Sequence, residues 1–209
     1  IDGAANTFNV LAEGFYTILQ DPFVNEFGDP DENGVVVYTR TNAGKGATVR
    51  GVNFEMNYAV GRNLTAYGGI TFQQSQYEEP QEFSERSFFR APNNYGFLTL
   101  NWDVSKKFGV SATSTYTGKM LVPYFGNTLE NPEDGELRKS DSFVDVGLKA
   151  NYKIKLNGAT LQVFAGVKNI FNAYQDDFDA GIDRDPGYVY GPLEPRTVYA
   201  GIKIGNFLR

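Results

Sequence analysis

The chain has no cysteine and no histidine in its 209 residues. The first absence removes disulfides and thiolate metal sites. The second removes the commonest general base and the commonest transition-metal ligand. Without either residue, Ser-His-Asp and Cys-His arrangements cannot be assembled, and no P-loop or GxGxxG follows a strand. Carboxylate pairs occur, but in long connections where nothing holds their separation or pKa for catalysis. We therefore expect no enzyme and no cofactor. No apolar run reaches eighteen residues, which excludes a spanning helix. There is no charged-then-apolar leader, and the chain opens on Ile1, so we expect a processed chain or an excised piece. The net charge of −6 offers no basic surface for phosphates, which argues against a nucleic-acid partner.

What the chain does have is alternation. Aromatics make up 15% of it, there are 23 glycines, and apolar and polar residues alternate over about eight stretches. Val144, Val146, Leu148, Ala150 and Tyr152 lie against Asp145, Gly147, Lys149 and Asn151. Leu161, Val163, Ala165 and Val167 lie against Gln162, Gly166 and Lys168, and Val198, Ala200, Ile202 and Ile204 against Thr197, Gly201 and Lys203. Val52, Phe54, Met56 and Tyr58 form the clear half of a longer segment, 35–60, whose first half is expected to project beyond a bilayer. Period two follows from the pleat of a strand.

The connections alternate too. Short turns fall near 61–63, 105–107 and 157–158, and long ones at about 20–34, 77–92, 119–140 and 173–195. Most of the 25 carboxylates lie in the long connections. The bases Arg62, Lys106, Lys107, Lys153, Lys155 and Arg209 lie near the other end. Antiparallel strands with short turns on one side and long loops on the other describe a transmembrane β-barrel wall. A soluble barrel would turn its apolar face inward. Three features favour lipid instead. Trp102 and Tyr58 end their apolar faces near short turns, where an aromatic girdle lies. Glu55, Asp145, Lys149, Lys168 and Lys203 sit on the polar face. Only one side has long loops. The fold class is thus all-β, an antiparallel wall of about eight strands. Its polar face, rich in Gly, Ser, Thr and Asn, suits a wide lumen better than the packed interior of a closed eight-stranded barrel.

Four segments carry a family resemblance. They are Thr48–Glu55 leading to Gly61-Arg62-Asn63-Leu64; Arg90-Ala91-Pro92; Asn169-Ile170-Phe171-Asn172 with Tyr174; and Gly191-Pro192 followed by Pro195-Arg196-Thr197-Val198-Tyr199-Ala200-Gly201. Over the whole chain the sequence resembles the C-terminal barrel segment of a TonB-dependent outer-membrane receptor. One departure is that Phe207 falls out of register with Ile202 and Ile204, where the family ends on a lipid-facing aromatic. The resemblance implies a complete barrel of about 22 strands with a plug, absent from residues 1–209, in its lumen. It implies residence in the outer membrane of a Gram-negative cell, with membrane lipid as one partner. It also implies import of a scarce nutrient (a ferric siderophore, a corrinoid, haem or a glycan) driven by the TonB complex through the missing N-terminal part. The alternative is a self-contained eight-stranded barrel with a structural or adhesive role.

Two sets of loop residues are candidates for sites. Asp177, Asp179, Asp183 and Asp185 offer carboxylates to a hard cation, although Gly181 and Tyr188 stand where an EF-hand needs ligands; a solvated, charge-repelling loop is the other reading. Tyr124, Phe125, Phe178, Tyr188 and Tyr190, with Phe23 and Phe27, offer rings to a planar ligand or a sugar, or pack loop against loop. Phe89-Arg90-Ala91-Pro92 with Asn131-Pro132-Glu133-Asp134 is similar to a box of haem receptors but lacks its leucine and any histidine. A strand start and a turn explain it more simply.

Overall fold

The computed structural model describes residues 7–28, 32 and 37–205, so Phe207 and Arg209 lie outside the described residues. Eight long strands form one antiparallel meander: β1 (Thr7–Leu19), β4 (Ala47–Val60), β5 (Leu64–Tyr77), β6 (Asn94–Trp102), β7 (Phe108–Thr117), β10 (Phe143–Leu156), β11 (Ala159–Lys168) and β12 (Thr197–Gly205). Two hairpins stand in the long loops, β2 (Phe23–Phe27) with β3 (Tyr38–Asn42) and β8 (Leu121–Tyr124) with β9 (Glu136–Lys139). Among the described residues β1 pairs only with β4 and β12 only with β11, so the sheet is an open wall and not a closed ring.

Register turns the alternation of each strand into two continuous faces. Val144, Leu148, Val163 and Ile202 are 46%, 46%, 41% and 69% exposed, so the apolar row is not buried in a dry centre. Phe54 pairs with Ile70, Leu64 with Trp102, Ala112 with Leu148, and Val163 with Ile202. On β4 this apolar row runs over Val52–Val60, which matches the roughly 9–11 tilted residues that cross a hydrocarbon core. Directly above it Arg50 donates to Gln74 Oε1 at 2.7 Å on the same face, and the apolar band gives way to polar groups there.

The opposite face is polar and hydrogen-bonded across strands. Thr71 bonds Asn53 at 2.9 Å, Ser111 bonds Asn101 at 2.8 Å, and Gln162 bonds Asn151 at 2.9 Å. Aromatic rings pack against glycines of neighbouring strands: a Cβ on Gly69 would stand 3.1 Å from the Phe97 ring, and one on Gly166 only 2.5 Å from that of Tyr199. Such ring-on-glycine contacts pin register where a strand lacks side chains.

The segment 35–60 departs from expectation. Only Ala47–Val60 is a wall strand; the described part before it turns away at Ala43–Gly46 and pairs as β3 with β2. The Ala43 N–H reaches Pro22 O at 2.8 Å and the Gly46 carbonyl accepts from Glu78 N at 2.9 Å, which anchors the break. Backbone bonds thus fold the loop back over the wall instead of extending the strand.

The most deeply buried apolar residues lie outside the band altogether. Met120, Val122, Tyr124, Phe143, Tyr188 and Tyr190 pack as one cluster among the long loops. The apolar row of the wall stays exposed, whereas the loop body buries apolar surface of its own.

Candidate functional site

The loop body is tied down by side chains at the tops of the strands. Asn169 ends β11 in the left-handed region (φ 45°), which asparagine tolerates. Fully buried, it accepts from Ala173 N at 2.8 Å and donates to Ala173 O and Glu194 O at 2.9 Å. Asn172, also left-handed (φ 52°), accepts from Arg196 N at 3.0 Å. Arg90 (φ 56°) reaches from the second long loop to the fourth, donating to Gly187 O at 2.6 Å and Val189 O at 2.7 Å. Of the motifs that carried the resemblance, Arg90 is thus a staple between loops, and Asn169 and Asn172 close the fourth loop on itself.

Inside this body the aromatic candidates part company. Tyr124 and Tyr188 are 1% exposed and Tyr190 8%, so they form the interior of the cap. Tyr124 and Tyr188 meet edge to face at 4.7 Å, Tyr188 and Tyr190 at 5.5 Å, and the Arg138 guanidinium lies 3.4 Å from the Tyr124 ring centre. Phe125 lines a cavity, and Phe178 is half exposed away from it.

The four aspartates are not gathered around one point, and among the described residues no group of three or more metal-ligating side chains converges. Asp177 accepts two phenol hydrogens, from Tyr188 at 2.7 Å and Tyr190 at 2.6 Å. Asp185 accepts from Phe125 N at 2.9 Å and Gly187 N at 2.8 Å, and Asp179 accepts from Asp185 N at 2.7 Å. Asp183 is exposed. Three of the four carboxylates thus spend their acceptor sites on the loop itself. Burial pushes the Asp177 carboxyl up, but the hydrogen bonds from Tyr188, Tyr190 and Gln175 outweigh it and hold the group below the usual value. A lowered native value gives stability that is present above the unfolded value of about 3.9 and lost as pH falls through the native one. Loop protection measured by hydrogen exchange should therefore drop as the pH falls below about 4, and Asp177→Asn should flatten that dependence.

Between the loops and the top of the inner face lies a cavity of about 530 Å³. Phe23, Tyr77, Phe88, Phe89 and Phe125 supply its rings, Arg40 and Arg90 its cations, and Glu82 and Asp185 its carboxylates. Tyr77 and Phe88 stack at 4.4 Å, and Phe83 touches Phe125 at 5.7 Å. Burial, and then the nearby Glu26 charge, raise the Glu82 carboxyl. An apolar, ring-lined hollow with a few polar groups is the usual form of a small-molecule site. Sequence reading singled out Phe23 and Phe125 from this lining and set Phe89 and Arg90 aside as a strand start, but missed Tyr77, Phe88 and Arg40. The adjacent aromatics of Phe88-Phe89, just before the Arg90 staple, were the available signal.

An open antiparallel wall with one apolar and one polar face, and a ring-lined hollow under long loops at one end, has the form of a segment of a β-barrel wall. Residues 2–170 match the family model described as TonB dependent receptor-like, beta-barrel, and the chain belongs to that family. No curated protein matches it. Its fold is similar to solved structures of the ferric-catecholate import receptor Fiu from E. coli K12 (TM-score 0.64, 19% identity, 95% of this chain and 25% of that one). It is also similar to the pyoverdine outer membrane receptor FpvA from Pseudomonas aeruginosa PAO1 (0.66, 16%, 96% and 27%) and to the copper transporter OprC (0.67, 15%, 95% and 29%). The chain thus spans about a quarter of the length of these receptors.

Proposed function

We propose that the chain is the C-terminal part of the barrel of a TonB-dependent receptor in a Gram-negative outer membrane, and that the complete protein imports a scarce nutrient. In this reading the barrel has about 22 strands, a plug contributed by the rest of the protein fills its lumen, and that part engages the TonB complex. The open sheet supports this over a self-contained eight-stranded barrel, because β1 and β12 present free edges for further strands.

The observation that carries the proposal is the ring-lined cavity at the loop end of the inner face. A ligand with flat apolar parts stacks on Phe88, Phe89 and Phe125 there, while Arg40 meets its polar rim. The similar structures are a ferric-catecholate import receptor, a receptor bound to pyoverdine and a copper transporter. The fold is compatible with each, so the cavity and not the wall selects the nutrient. The test is growth of a deletion strain on defined iron, corrinoid, haem or glycan sources, complemented with the full-length protein. Phe89→Ala and Arg90→Ala should each weaken uptake of the supporting nutrient about tenfold, in line with losing one stacking or positioning contact, while surface expression is kept. Growth on every source without the protein, or unchanged uptake by both variants, would remove the cavity from the pathway.

A further inference from the structure

Ion pairing divides the two ends of the wall. Among the described residues the ion pairs are Lys45–Glu79, Lys119–Asp141, Arg138–Glu136 and Lys168–Glu194, all in the long-loop half. Arg62, in the turn between β4 and β5, and Lys106 and Lys107, in the turn between β6 and β7, are exposed and take part in none of them.

These three cations are placed by structure and are not on a floppy tail. Ser105 Oγ accepts from Lys107 N at 3.2 Å and Phe108 N at 3.0 Å, and Ser105 N returns a bond to Phe108 O at 3.0 Å, which closes a tight turn with Lys106 near its tip. Asp103 N donates to Asn63 O at 2.7 Å, so the two turns stand side by side. A second layer of positive charge lies on the inner face at the same level, where Lys153 N bonds Lys107 O at 2.8 Å. It is near enough to add to the local potential, since screening acts over about 8 Å.

The lipid-facing row ends just above these turns. Trp102 is 53% exposed and pairs with Leu64, and Phe108 follows Lys107 directly. The cations therefore stand at the boundary where apolar side chains give way to water, at the depth of lipid headgroups.

We propose that Arg62, Lys106 and Lys107 form a docking surface for anionic phospholipid headgroups in the leaflet on the short-turn side. Against three cations these turns carry a single carboxylate, Asp103, and the phosphate and net negative charge of the lipid supply the remaining counter-charge. The acidic long-loop end offers no such match, so lipid selectivity belongs to one leaflet. The inference rests on the membrane-wall reading and goes beyond it, because a barrel needs no charge preference in order to insert.

The test uses the full-length protein in bilayers of phosphatidylcholine with about one-fifth phosphatidylglycerol, and mass spectrometry of the lipids retained on gentle extraction. Each cation near an anionic surface changes partitioning roughly fivefold. Wild type should enrich phosphatidylglycerol, and R62Q/K106Q/K107Q should lose that enrichment about tenfold or more, whereas K45Q/K119Q at the other end should keep it. Should the triple variant fold poorly, K106Q/K107Q alone and a salt titration of the wild type read the same interaction. Retained enrichment in the turn variants, or no preference in the wild type, overturns the proposal. Failure to insert into either bilayer would instead strike the membrane reading beneath it.

Discussion

Replacing Tyr188 by alanine is expected to cost the loop body about 3–5 kcal/mol, the range for emptying a buried aromatic site. Tyr188 is 1% exposed, touches the rings of both Tyr124 and Tyr190, and donates its hydroxyl to Asp177. Its main-chain carbonyl also accepts from Gln175 Nε2 at 3.1 Å, so its segment is held from both sides. Removing the ring takes away the wedge between two loops and leaves a cavity with no short side chain to fill it. Tyr188→Phe keeps the ring and should cost less, about 1.5–3 kcal/mol, the range for one hydrogen bond to a charged group. Hydrogen exchange on the full-length protein distinguishes the two. In the alanine variant, amides of residues 119–140 and 173–195 should lose protection while those of β5 and β10 keep theirs. Equal loss in the sheet would mean that the loops and the wall unfold as one unit.

Leu148→Arg is the second large effect. Leu148 points outward, 46% exposed, near the middle of β10, and pairs with Ala112 on one side and Val167 on the other. A cation facing lipid at mid-depth of a barrel costs about 2–4 kcal/mol. Its sequence neighbour Lys149 already carries a charge on the opposite face. Lys149→Leu should cost far less than Leu148→Arg, because the inner face is open to water and polar groups. Denaturant unfolding in lipid gives both numbers. A large cost at position 149 together with a small one at 148 would exchange the two faces.

The wall was legible because the pleat leaves no choice. Once Val144, Val146 and Leu148 face one way, Asp145, Gly147 and Lys149 must face the other, and β10, β11 and β12 lie where alternation puts them. The long and short connections followed from the same reading. The loops were not legible, and the reason is physical. Tyr124 lies far in sequence from Tyr188 and Tyr190, so nothing marks the three as one cluster before the chain is folded. The partners of the aspartates were not legible either. Carboxylates two residues apart read as a cation site or as mutual repulsion, while the fold satisfies Asp177 with phenols and Asp185 with backbone N–H groups. The β2–β3 hairpin was hidden because strand-like residues before Gly44 and Gly46 read as the upper part of β4. In each case the deciding partner was distant in sequence.

The absence of cysteine allows a direct test of the two faces. Nitroxide labels on single cysteines introduced at Leu148, Val163 and Ile202, and at their neighbours Lys149, Gln162 and Lys203, report collisions with dissolved oxygen from lipid and with a water-soluble nickel chelate. With the full-length protein in a bilayer, the first three sites should favour oxygen and the second three nickel, alternating along each strand. If Leu148, Val163 and Ile202 are shielded from both probes, or are reached chiefly by nickel, their side chains do not face acyl chains and the membrane wall is ruled out.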